Sequence, residues 1–460
     1  MLVHTRRQLL RSVLAATLSA PLWSCAQRDG RTAVRVLHIE TNKQVLECWQ
    51  QSAREFEAQF PHCRIEFRVL ESATFRARLP TLLQSPEGPH IFYSWGGALI
   101  DVQVAAGLLE DITAHLPHSL LSEYMPQSLE TYRRGGRYFG MPYLATEIGL
   151  LCNEELLRQY GLSPTDCQTW SGFLETVQRL RQQSVVPLTA GGMDRWPLAL
   201  IHSHLALRSG GPAELQRVLN GRPGSFVSGA YLRATNAYLD LVSMNPFQQG
   251  VLASKAQSAL AAFVSGQAAF LMHGSWFYRQ AGALKPGLEK EMFARFPLIG
   301  FPKLANGMGN DQVTQSQLNG WLVRRGAPDM AIEFLKHFTS AQSQRRLAER
   351  SLIIPAHLEA QESIAAPALR DIAMRLSQMR ALQLEWTTLL GPNGGAAAAD
   401  AAAALTGGTM NAPQALALID RGWRIDQENM IRPRGRNALW VSPLCNRPSR
   451  SLQRIARKGI

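Results

Sequence analysis

The 460 residues are more than one compact core holds and suggest two domains, while 46% apolar and 18% charged content is ordinary for a globular chain. The net charge of +13 invites a nucleic-acid reading, but three of those charges lie in residues 1–25 and eight in residues 431–460, neither of which holds an acid. Only +2 remains for the body, so the basic stripe that phosphate binding needs is absent and no nucleic-acid partner is expected.

The chain opens as an export signal. Arg6, Arg7 and Arg11 precede an uncharged stretch from Ser12 to Ser24 that is too short to span a bilayer. Thr5 to Arg11 resembles a twin-arginine start, and Leu22-Trp23-Ser24-Cys25 resembles a bacterial lipobox, which would attach a lipid to Cys25. Cleavage to a free periplasmic protein is the alternative. Five further cysteines, 48, 63, 152, 167 and 445, form no metal or redox spacing and read as buried thiols.

From residue 33, strands and helices alternate. Val34, Val36 and Ile39 mark a strand; Val45, Trp49, Phe56 and Phe60 step at helical spacing; and Ile65, Phe67 and Val69 alternate along "CRIEFRVL". A helix around Phe75 to Leu83, the strand "HIFYS" and a helix ended by Gly107 complete a βαβαβα pattern, hence a parallel sheet. Trp170, Phe173, Val177 and Leu180 share a helix face, "VVPLTA" is a strand, and Pro197 opens a helix where a missing amide costs least. Gln267 to Met272 is a buried strand, and Gly274-Ser275 turns it into a helix start, leaving Trp276 at a strand's carboxyl end. Strands near "PLIGF" and "NGWLVR" follow, then a helix carrying Ala331, Phe334, Leu335 and Phe338, a turn-rich "GPNGG", an alanine-rich segment and a last helix near Pro413 to Asn429. Residues 431–460 lack periodicity and read as a basic, disordered tail.

No phosphate loop, nucleophile elbow or zinc helix is present, and the His202/His204 and His115/His118 pairs lack the spacing of metal ligands, so neither metal nor cofactor is expected.

Four stretches in order, "PHIFYSWGGALIDVQVAAGLLEDIT", "GGRYFGMPYLATEIGLLCNEELLRQYGL", "FVSGQAAFLMHGSW" and "AIEFLKHFTSAQSQRRL", resemble blocks of the family 1 extracellular solute-binding proteins of bacterial ABC importers. The resemblance covers about residues 33 to 430. His90 stands where the family usually has aspartate, Ser171-Gly172 replaces an acidic helix start, and Cys152 replaces a common tyrosine.

The resemblance implies an α/β, two-lobe periplasmic-binding-protein fold of type II. Residues 33–146 with 299–353 would form one lobe and 147–298 with 354–430 the other, the chain crossing near Ala145 to Gly149, Phe296 to Gly300 and Ile354-Pro355. It also implies a monomer that takes a sugar or oligosaccharide into the cleft, closes on it and presents it to ABC permease subunits. Sugars need flat aromatic platforms and in-plane hydrogen-bond partners. Trp95 and Trp276 each end a strand and would sandwich a ring; Tyr143 and Glu147 lie at the first crossing, where an ion pair is the competing role for Glu147. Asp194 and Trp196 lie in a loop after a strand, Glu40 and Asn42 end the first strand, Trp321 is expected in the core, and Trp386 is a lesser candidate for the cleft. Two other functions stay open: a sensory receptor of the same fold, and a glycan-acting enzyme with Glu40 and Glu147 as its carboxylates.

Overall fold

The computed structural model describes residues 30–284, 289–311 and 313–431; the export signal, Cys25, Cys445 and the basic tail lie outside them. β1 (Thr32–His38), α1 (Lys43–Gln59), β2 (Cys63–Val69), α2 (Ser72–Gln84), β3 (Ile91–Ser94) and α3 (Ala98–Ala105) build the first lobe, with β1 parallel to both β2 and β3. α1 forms because Val45, Cys48, Trp49, Ser52, Ala53 and Phe56 recur at three- and four-residue steps and are buried together. The Asn42 side chain caps its start by accepting from the Val45 amide at 3.2 Å.

A small hairpin, β4 (Arg133–Arg134) and β5 (Arg137–Tyr138), leads into β6 (Gly140–Cys152), buried along its whole length. The second lobe adds β7 (Val186–Thr189), β8 (Ala268–Gly274) and β9 (Leu298–Ile299). The chain then returns along β10 (Val313–Val323) and passes through β11 (Ile354–Pro355) and β12 (Ala381–Leu384). Among the described residues ten strands form one sheet, ordered β2-β1-β3-β10-β6-β8-β7, with β9 and β11 on β6 and β12 on β10. One apolar core lies around β1, β3 and α1, a second around β8 and the helices Trp170–Gln182, Trp196–Leu219 and Gly229–Ser243, and a third beneath the strands that join them.

Two expectations change. Phe301 is buried in the second core, stacked on Trp170 and His204, so the return crossing falls on β10 and not near Phe296 to Gly300. The "GPNGG" stretch is the start of the helix Gly391–Thr406, not a turn. Pro392 lies in its first turn, and the Asp426 carboxylate accepts from the Asn393 and Gly394 amides at 2.9 and 2.8 Å. Glycine is needed there for close packing: a Cβ on Gly395 would lie 2.3 Å from the Thr387 carbonyl oxygen. Cys48, Cys63, Cys152 and Cys167 are buried free thiols.

His202 and His273 are wholly enclosed, and burial holds both imidazoles down at about 4. Both are neutral in the fold, whereas in the unfolded chain they take protons from about pH 6.5 downward. Their contribution to stability is therefore complete above pH 6.5 and is lost as pH falls toward 4, each tenfold change in proton affinity being worth about 1.4 kcal/mol. Urea midpoints should fall steadily from pH 7 to 4.5, and His202→Gln should flatten that slope; a slope unchanged by the substitution would contradict the assignment.

Candidate functional site

β1 ends at His38, and the chain turns through Glu40 and Asn42 into α1. That turn locks both side chains: Glu40 Oε1 accepts from the Thr41 and Asn42 amides at 3.0 and 2.8 Å, while Asn42 Oδ1 caps α1. The second lobe answers with the helix Phe277–Leu284. Arg279 Nε lies 3.2 Å from Glu40 Oε2, and Asn42 Nδ2 donates to the Arg279 carbonyl at 3.1 Å. Glu40 and Asn42 thus face the cleft, and they hold the lobes together there.

Behind this contact is a cavity of about 110 Å³, lined by Glu40, Asn42, Trp49, Tyr93, Tyr143 and Arg279 among others. Tyr143 is its buried floor: its hydroxyl accepts from Trp49 Nε1 at 2.7 Å and its ring stacks on Phe338. Burial pushes the phenols of Tyr93 and Tyr143 well up, so both remain neutral hydroxyls. Ligand pockets for drug-sized molecules run to roughly 300–1,000 Å³, so an oligosaccharide enters only if the lobes part at Glu40 and Arg279.

The tryptophans sit differently from the expected sandwich. Trp95 is 8% exposed, meets Phe75 and Tyr93 edge-on, and carries the Arg76 guanidinium 3.9 Å above its ring. Gly96 and Gly97 follow it at φ +79° and +74°, and a Cβ on Gly97 would lie 2.3 Å from the Thr388 carbonyl of the second lobe. Trp276 is half-buried and folds back over Gly274, its ring 4.7 Å from His273 and 6.3 Å from Trp196. The two indoles therefore pack within their own lobes; Trp276 and Trp196 form one aromatic group and Trp95 belongs to another.

Of the two roles open to Glu147, the structure shows an ion pair. Glu147 is 2% exposed and accepts from Arg375 at 2.7 Å; burial raises its pKa and Arg375 opposes the rise. Asp194 is exposed and accepts from the Ala256 amide at 2.6 Å, joining its loop to the helix Ala256–Val264. Trp321 and Trp386 are both core residues, 0% and 1% exposed. Arg279, Gln280, Tyr93 and Arg76 were not anticipated. Arg279 and Gln280 stand three and four residues beyond Trp276, which places them on the same helix face; Arg76 carries no comparable signal. Among the described residues no cluster of three or more His, Cys, Asp or Glu could hold a metal ion.

The fold and its cleft define a two-lobe periplasmic binding protein. The profile of the bacterial extracellular solute-binding proteins matches residues 43–345, and the chain belongs to that family. An ABC transporter extracellular-binding protein of Pyrococcus horikoshii is 22% identical over 180 residues, 38% of this chain and 41% of the relative. The maltotriose-binding protein of Pyrococcus abyssi is 25% identical over 114 residues, 25% of this chain and 24% of the relative. The chain thus spans about half or less of the length of the curated relatives it matches. Among solved structures, a chitin oligosaccharide binding protein has a TM-score of 0.75 at 20% identity, covering 87% of this chain and 99% of that one. A receptor of Streptomyces glaucescens, whose structures include an acarbose complex, has a TM-score of 0.69 at 16% identity, covering 86% and 99%.

Arg279→Ala removes the side-chain half of the interlobe contact and leaves both lobe cores untouched. The ligand-free protein should show a larger radius of gyration by small-angle X-ray scattering with a melting temperature within a few degrees of wild type. An unchanged radius would mean that the pair does not restrain the lobes.

Proposed function

We propose that this chain is the binding component of an ABC importer, taking a sugar or oligosaccharide into the interlobe cleft and delivering it to membrane permease subunits. One observation carries the reading: a polar fringe of Glu40, Asn42 and Arg279 stands over an aromatic floor of Trp49, Tyr93 and Tyr143, with one lobe on each side. Hydroxyls at a sugar's edge find charged and amide partners in such a fringe, and its C–H faces find rings. The names of several relatives, which refer to chitin oligosaccharide, acarbose and maltotriose, point the same way. Binding works by population shift, since a ligand that touches both lobes stabilises the closed state.

The reading has no bond-making step. Glu40 and Glu147 are each held by a separate arginine, and only Glu40 lines the cavity, so they do not form the facing carboxylate pair that glycoside cleavage requires. Calorimetric titration of the purified protein with neutral and acidic oligosaccharides should find a binder that is recovered at its original length. Trp276→Ala should weaken that binding by about 0.5–1.5 kcal/mol beyond lost contact area, with the fold retained. Shortened products would overturn the receptor reading, and unchanged affinity with a sharply lowered melting temperature would make Trp276 a packing residue.

The same reading places the protein outside the cytoplasm at the cell envelope, working as a monomer and attached through a lipid on Cys25. Cys25→Ala should move it from the membrane fraction to the soluble periplasm; wild type already found soluble would refute the anchor.

A further inference from the structure

α2 belongs to the first lobe and begins near the second. Glu71 caps its start by accepting from the Ala73 and Thr74 amides at 2.8 and 3.1 Å, and it feels the charge of Lys255, which stands at the start of the second-lobe helix Ala256–Val264. Arg76 lies one turn further on. Its guanidinium carbon is 3.9 Å from the Trp95 ring centroid, and the residue is exposed although protein crowds it enough to lower its pKa. The Trp95 ring beneath it and the charge of Glu385 in the second lobe place Arg76 where the two lobes meet.

The N–H groups of Arg76 have no bonded partner: among the described residues it makes no ion pair or hydrogen bond. Glu385 and Tyr93 are the groups whose charge or potential charge acts on it. Glu385 is already engaged, accepting from the Thr387 amide at 2.6 Å, from the Thr387 hydroxyl at 2.7 Å and from the Thr388 hydroxyl. Glu40, the carboxylate of the cavity, is paired with Arg279. An arginine resting on an indole keeps its N–H fork free, and that fork matches two acceptor oxygens of one acidic group.

We propose that Arg76 sets the specificity of the cleft, and that the preferred ligand is an acidic saccharide whose carboxylate, or sulfate or phosphate ester, is held by Arg76 beside Trp95. This rests on the saccharide reading above and goes beyond it. Trp95 then acts as a platform for the arginine, and the sugar ring is left to the remaining aromatic groups of the cleft.

The test is calorimetry on the full chain at low salt with an oligogalacturonate, its methyl ester, the neutral galactose oligomer and a sulfated disaccharide. The acidic ligand that binds, whether carboxylate or sulfate, should do so at least about tenfold more tightly than its neutral counterpart, and the preference should shrink as salt rises. R76Q should abolish the preference. R76K should retain part of it, because an ammonium keeps the charge without the fork. Melting temperatures of both variants establish that they fold. Equal binding of acid and neutral counterpart overturns this proposal and leaves the saccharide reading standing. An acid preference that survives in R76Q overturns the role of Arg76. Binding of no saccharide, acidic or neutral, defeats both.

Discussion

Two antiparallel strands carry the whole molecule. β6 and β10 pair from Gln315–Ile148 to Leu322–Gly140, and each continues into both lobes: β10 reaches β3 in the first, and β6 reaches β8 in the second. Their residues are almost entirely buried, so each backbone hydrogen bond between them would cost about 1–3 kcal/mol to leave unmade. Relative motion of the lobes is thereby confined to bending and twisting of this ladder. Its register shifts between Asn319 and Gly320, where a Cβ would lie 2.3 Å from the Met141 carbonyl, and β11 adds a third strand at Leu144 and Ala145. The cleft lies between two lobes with separate cores, joined by a waist of sheet that has a third core beneath it.

That geometry decides which contacts can answer to a ligand. Bonds inside a lobe, such as Asp426 with the start of the helix Gly391–Thr406, do not change when the waist bends. Bonds across it, among them Glu40 and Asn42 with Arg279 and Arg279 Nη1 with the Leu352 carbonyl, must break for the cavity to open. Their side chains are only 14% and 16% exposed for Glu40 and Arg279, so the pair is better shielded than a surface salt bridge. A ligand held by both lobes adds its own free energy to this small bias, and the arithmetic of population shift then governs occupancy.

The first lobe was legible from sequence because its strands and helices have clean periods of two and 3.6. β10 was legible only in its apolar end, "NGWLVR". Its other half carries the buried polar residues Thr314, Gln315 and Ser316 and the half-buried Gln317, with partners drawn in part from far away: Gln315 Nε2 donates to Ser203 Oγ at 2.9 Å, and the Gln317 amide donates to Thr146 Oγ1 at 3.2 Å. Burial of polar side chains at the waist erased the pattern that marks a strand. The "GPNGG" helix was hidden for a related reason, since its glycines serve contacts with Thr387 and Trp423. Glu40, Asn42 and Tyr143, chosen from sequence for standing at a strand end or crossing, line the cavity. Glu147 could not be resolved from sequence, because its partner Arg375 is 228 residues away. Arg76 could not be found because its role depends on which ring lies beneath it.

Closure of the two lobes on a ligand, hinged on one sheet, is a motion that can be measured. The direct measurement is the distance between spin labels on the two cleft walls, at Arg78→Cys on α2 and Gln257→Cys on the helix Ala256–Val264, with and without a saccharide that binds. Both positions are exposed, and the described native cysteines are buried. A longer and broader distribution is expected in the free protein, shortening and narrowing on binding. Tight binding with an unchanged distribution would contradict closure.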